Sequence, residues 1–295
     1  MKGSKRARER WKILANVISG KKPIDSETQN KVSVRRFSGF GLFRVEHLNE
    51  NSTCYSHFAY SSRFNELSST RILVRTKKQT VNLQELIGFN NTGNICIWPA
   101  EEVLAYYALQ HYLEFEGKRV CELGAGMTAL AGVMLASSCD VTEMLLTDGN
   151  LESVQNIDHI IEKNIECFRS TKVHSRKFIW GDDTVSCDMR NKYDVVIAAD
   201  CFFHVESHES LLKTLDALLV EEGRAVMMAP CRSQTLQQFC SRASPMFDVQ
   251  IIRNYDHKIT EKHLKVSSSN SEDYDEDLHY PVLVILSRKK LKPDG

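Results

Sequence analysis

Several features that mark membrane, secreted or repetitive proteins are absent from these 295 residues. No run reaches the roughly 18 apolar residues that span a bilayer, and the amino terminus lacks a secretory signal pattern. Internal repeats are absent, and no low-complexity tract occurs beyond one short acidic loop. We therefore expect no membrane association, and one α/β core of about 200 residues with an amino-terminal extension.

Cysteine spacing typical of metal or disulfide sites is also missing. The nine cysteines contain no C-x-x-C pair, which argues against a zinc site and against a disulfide framework. Their odd number and their positions within apolar runs favour reduced thiols. We therefore expect no bound metal and a location in the cytoplasm and nucleus.

The net charge is zero, but the charge is unevenly distributed. Residues 1–45 carry twelve Lys or Arg against three acids, and residues 6–19 predict an amphipathic helix. A basic arm favours an acidic partner, although a solvated tail fits the same composition. No nucleic-acid recognition motif is present and the remaining chain is not basic, so nucleic-acid binding is not expected.

From about residue 95 onward, apolar strands alternate with helices, which is typical of a mostly parallel sheet covered on both faces. Strands are predicted at Arg119–Leu123, Glu143–Thr147, Val173–Ile179, Val195–Ala199, Arg224–Ala229, Asp248–Tyr255 and Val282–Ser287. Helices are predicted at Ala100–Tyr112, Thr128–Ala136, Leu151–Phe168, Glu206–Leu219 and Ser233–Ala243. The last two strands are expected to pair like a hairpin around a polar loop at Ser267–Asp277, and Glu221–Gly223 reads as a tight turn.

Shorter β-prone runs precede this region and predict a small antiparallel unit ahead of the main sheet. They lie at Val32–Val34, Phe37–Val45, Cys54–Tyr60 and Arg71–Arg75. We therefore place a basic helix and β-rich extension at residues 1–90 and the main domain at residues 91–290.

The segment Val120–Leu130 carries the most information about chemistry. An apolar strand reaches Glu122, turns on Gly124 and Gly126, and enters a helix, which is the pattern of a loop that holds a nucleotide-like cofactor. A second acid, Asp148, ends another apolar run, where a carboxylate can accept hydrogen bonds from ribose hydroxyls.

The glycines alone fit either a dinucleotide or S-adenosylmethionine, because the looser dinucleotide pattern allows Ala129 in the third glycine position. Glu122 would repel a pyrophosphate and would favour a cationic methionine end. A later strand ends at Ala199 and continues into Asp200-Cys201-Phe202-Phe203, an acid followed by aromatic residues where a substrate would lie. These features favour S-adenosylmethionine.

Together these segments resemble the seven-stranded, Rossmann-like class I S-adenosylmethionine-dependent methyltransferases, and within them the family-16 protein-lysine branch. The residues that carry the resemblance are Trp98-Pro99, Glu122–Gly126, Asp148, Trp180-Gly181 and Ala199-Asp200. Two more specific stretches, residues 92–107 and 278–281, are similar to calmodulin-lysine N-methyltransferases. The resemblance covers roughly residues 90–287.

The resemblance implies a set of cofactor contacts: Trp98, Glu122, Gly124, Ala125, Gly126, Asp148, Trp180 and Ala199. Trp180 can stack on adenine and Trp98 can form a pocket wall, although core packing explains a tryptophan equally well. The chain departs from the family at Phe203, where related enzymes have a tyrosine. A role that needs a phenol hydroxyl is therefore in doubt here.

The implied reaction is methyl transfer to a protein lysine, with calmodulin as the expected substrate. We assign Asp200 to orienting the incoming amine and Phe202 and Phe203 to the walls of its channel; a strand-end cap is the alternative for Asp200. The basic helix around Trp11 is of the type that calmodulin binds, or it packs on the protein's own core. Another protein lysine, a nicotinamide-dependent oxidoreductase and a non-catalytic interaction module remain as alternative functions.

Overall fold

Two β-sheets and eight α-helices are found in the described part of the chain. The structure is a computed structural model that describes residues 5–18, 37–49, 52–62, 70–78, 96–269 and 272–289. The strands are β1 Phe43–Leu48, β2 Tyr55–Ser62, β3 Arg71–Lys77, β4 Arg119–Leu123, β5 Glu143–Asp148, β6 Lys172–Lys177, β7 Tyr193–Ala199, β8 Leu219–Ala229, β9 Phe247–Ile252 and β10 Val282–Arg288. The helices are α1 Lys5–Ile18, α2 Pro99–Gln110, α3 Leu130–Ser138, α4 Leu151–Lys163, α5 His208–Leu218, α6 Thr235–Ala243, α7 His257–Ser268 and α8 Glu276–His279.

The main sheet has seven strands in the order β6-β5-β4-β7-β8-β10-β9. Strands β4 to β8 pair in parallel, whereas β10 runs antiparallel to both β8 and β9. The strand order reverses between β4 and β7, and ligands of open α/β sheets bind at the carboxyl edge of such a switch point. The predicted fold class, a seven-stranded Rossmann-like methyltransferase sheet, is confirmed.

Strands β4, β5 and β7 lie at the centre of the sheet and are apolar on both faces because helices cover each side. Residues 144–146 and 196–198 are at most 1% exposed. Helix α3 is buried along its whole length, so it has no polar stripe. A helix that is apolar all round stays in place only inside a core, and α3 packs between the sheet and α2.

The amino-terminal strands form a separate antiparallel sheet in the order β1-β2-β3. Two buried asparagines attach this small sheet to the main domain: Asn156 within α4 and Asn164 directly after the carboxyl end of α4. The Asn164 amide accepts from the Leu73 N–H and donates to the Leu73 carbonyl, both at 2.7 Å. The Asn156 side chain accepts from Arg75 Nε at 2.6 Å and donates to the carbonyls of Arg75 and Met127. The small sheet thus supports the loop that follows β4.

Some predictions about elements were wrong. Residues 257–268 form helix α7 where no helix was predicted, and its amino terminus is capped by Asp256, which accepts from the Ile259 N–H at 2.9 Å. Strands β9 and β10 pair as expected, but α7 lies between them. Residues 221–223 continue β8 instead of turning. Residues 32–34 lie outside the described residues, and the proposed boundary at residue 90 stays a prediction.

Gly132 in α3 provides a test of how tightly this core is packed. A Cβ there would lie 2.3 Å from Leu146 Cδ2 and 2.5 Å from Glu122 Oε2, both buried. Alanine favours a helix by about 1 kcal/mol over glycine, but overpacking costs about 1 to 3 kcal/mol and the Glu122 contact adds to it. We expect Gly132→Ala to lower the unfolding free energy by about 2 kcal/mol in denaturant titration.

The matched control is Gly117→Ala, which has a φ of +70° and open space around the new Cβ. It carries backbone strain of about 1 kcal/mol without a clash. A Gly132→Ala variant that is at least as stable as the parent protein would contradict the close approach of α3 to β4 and β5.

Candidate active site

A cavity of about 320 Å³ opens at the carboxyl ends of β4, β5 and β7, within the size range of small-molecule sites. Nine of the eleven site residues predicted from the sequence line it: Trp98, Glu122, Gly124, Gly126, Asp148, Trp180, Ala199, Asp200 and Phe203. The structure therefore brings together residues that are separated by up to 105 positions, through the parallel register of three strands.

The glycine loop after β4 forms the floor of the cavity. Gly124 and Gly126 have φ angles of +63° and +61°, which side-chain-bearing residues rarely adopt. A Cβ on Gly124 would lie 3.1 Å from Cys201 Sγ and 3.2 Å from the Trp180 ring. Gly124 therefore lets the backbone approach both the cavity and its aromatic wall.

Ala125 lies in the same loop but does not line the cavity. Its side chain is 3% exposed, and its N–H donates to the Thr147 carbonyl at 2.8 Å. The structure therefore gives Ala125 the job of tying the loop to β5. A direct cofactor contact by Ala125 is not supported by this geometry.

Glu122 is buried at the end of β4, where one carboxylate oxygen accepts from the Gly132 N–H at 2.9 Å. Burial raises the pKa of Glu122 well above its ordinary value, and the nearby charge of Glu101 raises it further. A cation in the cavity would reverse this shift, since it would stabilise the ionised carboxylate.

Glu101 is a site residue that the sequence reasoning missed. It lies in the first turn of α2, and its Oε1 accepts from the Leu130 N–H at 3.0 Å and from Thr128 Oγ1 at 2.7 Å. Ala129, directly before the first residue of α3, has a left-handed φ of +46° and no side chain that could cap the helix. Glu101 therefore caps α3 from a different helix and fixes the end of the glycine loop.

Asp148 ends β5 and faces the cavity from the other side of the glycine loop. Its Oδ2 accepts from the Gly126 N–H at 2.9 Å and its Oδ1 from the Asn150 N–H at 2.8 Å. Burial raises the pKa of Asp148 to about 6, and the two backbone hydrogen bonds oppose that rise. Each oxygen keeps a second lone pair that can accept a hydroxyl from a ligand.

An apolar wall follows β6 and continues the cavity beyond Asp148. Phe178 and Ile179 line it together with Trp180, although only Trp180 was singled out in the sequence. Ile179 is 49% exposed, which is unusual for a large apolar side chain beside a cavity. A flat aromatic and apolar wall next to a ribose-binding acid is suited to a purine ring. Stacking on Trp180 stays a prediction.

The opposite end of the cavity is formed by an ion pair that the sequence did not reveal. Asp200 has a φ of +58°, and both of its carboxylate oxygens accept from the guanidinium of Arg232, with Nη2 to Oδ2 at 2.6 Å. The two side chains are 9% and 6% exposed. Arg232 could have been predicted from its position three residues after β8, because that strand ends at the same edge of the sheet as β4, β5 and β7.

The two phenylalanines after Asp200 lie in different places. Phe203 lines the cavity. Phe202 is 1% exposed and stacks on Phe239 at 4.1 Å between ring centroids, while its carbonyl accepts from His208 Nε2 at 2.8 Å. The prediction that Phe202 walls the channel is therefore wrong, because its ring packs into the core under α6.

Trp11 of α1 reaches the same cavity, although α1 lies far from it in sequence. Its ring meets Phe203 edge-on at 6.3 Å between centroids and covers the Arg232 guanidinium at 4.3 Å. Leu14 is buried on the same side of α1, at 5% exposure. The apolar side of α1 thus packs on this protein's own cavity, as the alternative to calmodulin docking predicted.

Comparison with known proteins identifies the family. The family model described as lysine methyltransferase matches residues 76–245, more than half of the chain. The chain belongs to the lysine methyltransferase family. A calmodulin-lysine N-methyltransferase from Arabidopsis thaliana is 28% identical over 95% of this chain and 96% of its own length.

Other relatives of this lysine methyltransferase match less of it. Protein N-lysine methyltransferase METTL21A of Danio rerio is 29% identical over 54% of this chain and 71% of its own. Histone-arginine methyltransferase METTL23 of Homo sapiens is 29% identical over 42% of this chain and 62% of its own length. Among solved structures, a T. thermophilus 16S rRNA N2 G1207 methyltransferase has a TM-score of 0.48 and 14% identity over 81% of this chain and 52% of its own.

The methyl donor of this enzyme is S-adenosylmethionine, and the cavity fits it. The glycine loop leaves room at Gly124 that any Cβ would fill. Asp148 could accept from ribose hydroxyls, and a cationic methionine end beside Glu122 would reverse its raised pKa. Across the described residues no group of three or more metal-binding side chains is present, and no helix among them is long and apolar enough to cross a membrane.

Cofactor binding is expected to weaken as the pH falls. Each oxygen of Asp148 already accepts one backbone N–H, so one lone pair per oxygen is left for a ribose hydroxyl. A proton on the carboxyl group would occupy one of these lone pairs and displace the hydroxyl. With a pKa of about 6 in the cofactor-free protein, affinity is complete well above pH 6 and is lost below it. We expect the calorimetric Kd for S-adenosylmethionine to rise about tenfold from pH 7.5 to pH 5.

The control is Asp148→Asn, which removes the titrating group at nearly constant shape. Its Kd should be higher at pH 7.5 and nearly flat across the same range. An equal pH dependence in both proteins would assign the effect to another group, with Glu122 as the nearest candidate.

Proposed function

We propose that this enzyme transfers the methyl group of S-adenosylmethionine to a lysine of calmodulin. The observation that carries the proposal is the extent of the match: the calmodulin-lysine N-methyltransferase aligns with 95% of the chain, including regions beyond residues 76–245. Relatives with other printed names match between 42% and 61% of the chain. The additional shared regions are where a distinct protein substrate would be recognised.

The charge of the surface near the cavity supports an acidic protein substrate. Lys5 and Lys12 are exposed on α1, which borders the cavity through Trp11, and Arg8 of the same helix is paired with Asp275. Calmodulin binds calcium through loops rich in carboxylates. A basic rim beside the acceptor end increases the encounter rate with such a protein and favours its correct orientation.

The residues of the cavity divide into two functional groups. Glu122, Gly124, Gly126, Asp148 and Trp180 hold the cofactor, which supplies an electrophilic methyl group on a sulfonium. Because that group is already activated, the protein mainly positions the reacting atoms and excludes water.

Asp200 and Phe203 act on the acceptor side. A lysine amine must lose its proton before it attacks, and the free side chain titrates near about 10.4. The apolar ring of Phe203 disfavours the ammonium form and so lowers that pKa. The Arg232 pair holds the Asp200 carboxylate in one orientation, with lone pairs left to accept from the incoming amine.

A methylation assay with radiolabelled cofactor tests the proposal. Purified calmodulin and a cell lysate depleted of calmodulin serve as competing protein acceptors. We expect label on the lysines of calmodulin, located by peptide mass spectrometry. Label on other lysate proteins with none on calmodulin would identify another protein lysine as substrate.

A protein that binds the cofactor but labels nothing would instead be an interaction module on the same fold. For location, we propose the cytoplasm and nucleus, supported by an odd number of cysteines without C-x-x-C spacing. Imaging of a fluorescent fusion that shows only secretory compartments would contradict this proposal.

A further inference from the structure

We propose that Trp11 is a specificity-determining residue of the acceptor site, where it forms one wall of the channel for the lysine side chain. This inference rests on the proposed lysine acceptor and adds a recognition element outside the region matched by the family model. The acceptor is a lysine presented by a folded acidic protein. The adjoining wall is Phe203, whose ring meets Trp11 edge-on.

The first support is the position of the Trp11 ring. All three tryptophans of the chain line the one cavity described above: Trp98 and Trp180 beside the glycine loop, and Trp11 at the Asp200 end. The Trp11 and Phe203 rings are nearly perpendicular at 88°, so they form a corner of the cavity, and the Arg232 guanidinium on the Trp11 ring pairs with Asp200. In this proposal, a lysine bound at Asp200 lays its four methylene groups along that corner.

The chemistry of that corner matches a lysine side chain. Aromatic faces bind aliphatic stems through apolar contact and attract a cation through the ring quadrupole. The Trp11 ring already covers a cation, the Arg232 guanidinium, at 4.3 Å. The neutral amine gains from the same apolar surface, because water is excluded from it.

The second support is that α1 is held in place by specific contacts. Arg8 Nε donates to Asp275 Oδ2 at 2.8 Å, and Ala7 and Leu14 are buried. Asp275 caps α8, and this pairing raises the pKa of Arg8 above its ordinary value. Helix α1 is therefore attached to α8 by a directional contact.

The same short helix also fixes the other side of the acceptor site. The Asp277 carbonyl accepts from the Arg232 N–H at 2.8 Å, and its carboxylate accepts from the Ser233 N–H at 2.9 Å. Residues Arg232 and Ser233 both have positive φ angles, so these bonds hold a backbone that would otherwise relax. Trp11 and Arg232 thus share one support and keep a constant distance.

The test compares Trp11→Ala, Trp11→Phe and Glu9→Gln in the full chain. Glu9 is an exposed residue of α1 two positions from Trp11, so its substitution removes a surface charge without changing the wall. We expect Trp11→Ala to lower kcat/KM for the labelled protein acceptor at least about thirtyfold, while the Kd for S-adenosylmethionine stays within about threefold. Trp11→Phe should recover most of the loss, since it restores an aromatic wall.

Glu9→Gln should change KM by no more than about threefold and leave kcat unchanged. A Trp11→Ala enzyme with wild-type kcat/KM would overturn the proposal, and so would an equal loss in Trp11→Phe. The wild-type enzyme tests the proposed function separately. If it labels a protein other than calmodulin, calmodulin is rejected as the substrate. The kcat/KM of each variant relative to wild type is then measured on that other acceptor.

Discussion

An Asp200→Asn variant is expected to keep S-adenosylmethionine binding within about threefold while its kcat falls by about a hundredfold or more. Asp200 lines the acceptor end of the cavity, and its carboxylate is oriented by Arg232. Asparagine keeps the shape and one acceptor oxygen, but it loses the charge and the symmetric pairing. Misplacement of a reacting amine by about 1 Å is enough to lose about two orders of magnitude in rate.

Asparagine is a better test than alanine because the structure shows what alanine would leave behind. Asp200→Ala would leave the buried Arg232 guanidinium with neither a counter-charge nor an acceptor, whereas asparagine keeps one acceptor oxygen for it, so lost turnover is less confounded with lost folding. Calorimetry with the cofactor and a steady-state methylation assay measure the two expected outcomes. If the Asn variant instead loses cofactor binding, Asp200 belongs to the cofactor site.

An Arg232→Met variant is expected to lower the unfolding free energy by about 3 kcal/mol or more. Removing one partner of a buried ion pair leaves the other charge uncompensated, and the typical loss is about 3 to 5 kcal/mol. Asp200 and Arg232 form such a buried ion pair, because their side chains are only 9% and 6% exposed. Methionine keeps much of the length and apolar volume of the arginine stem, so the change isolates the charge.

Two further variants make this prediction specific. The double variant Asp200→Asn with Arg232→Met should regain most of the loss, since no charge is left unpaired. Arg224→Met removes a partner of Glu114 at the surface, where both side chains are about a third exposed, and should cost less than about 1 kcal/mol. Equal losses at Arg232 and Arg224 in denaturant titrations would show that Asp200 is solvated.

Much of the fold could be predicted because its signals are local. Strands β4, β5 and β7 are short apolar runs with Glu122, Asp148 and Asp200 at or next to their carboxyl ends, and the structure places all three acids on one edge. Helix α7 was missed because its polar residues dominate: only Ile259 and His263 of its twelve residues are buried. The capping residue Asp256 was the available local signal.

The two phenylalanines after Asp200 show where local reasoning ends. Inside a strand, neighbouring side chains alternate between faces, which makes their directions predictable. Asp200 leaves strand geometry with a φ of +58°, so the alternation no longer applies. Only the three-dimensional course of the loop decides that Phe203 faces the cavity while Phe202 packs on Phe239.

The sequence by itself determined the cofactor half of the site, because a strand, a glycine turn and a helix are encoded by neighbouring residues whose conformational preferences are local. The tertiary structure decided what surrounds Asp200 and Phe203 in the acceptor half. Trp11 and Arg232 are separated by more than two hundred positions, and they meet only because α1 and the β8–α6 loop are bound to the same helix, α8. No pattern along the chain records such a contact, since it depends on how separately formed elements pack.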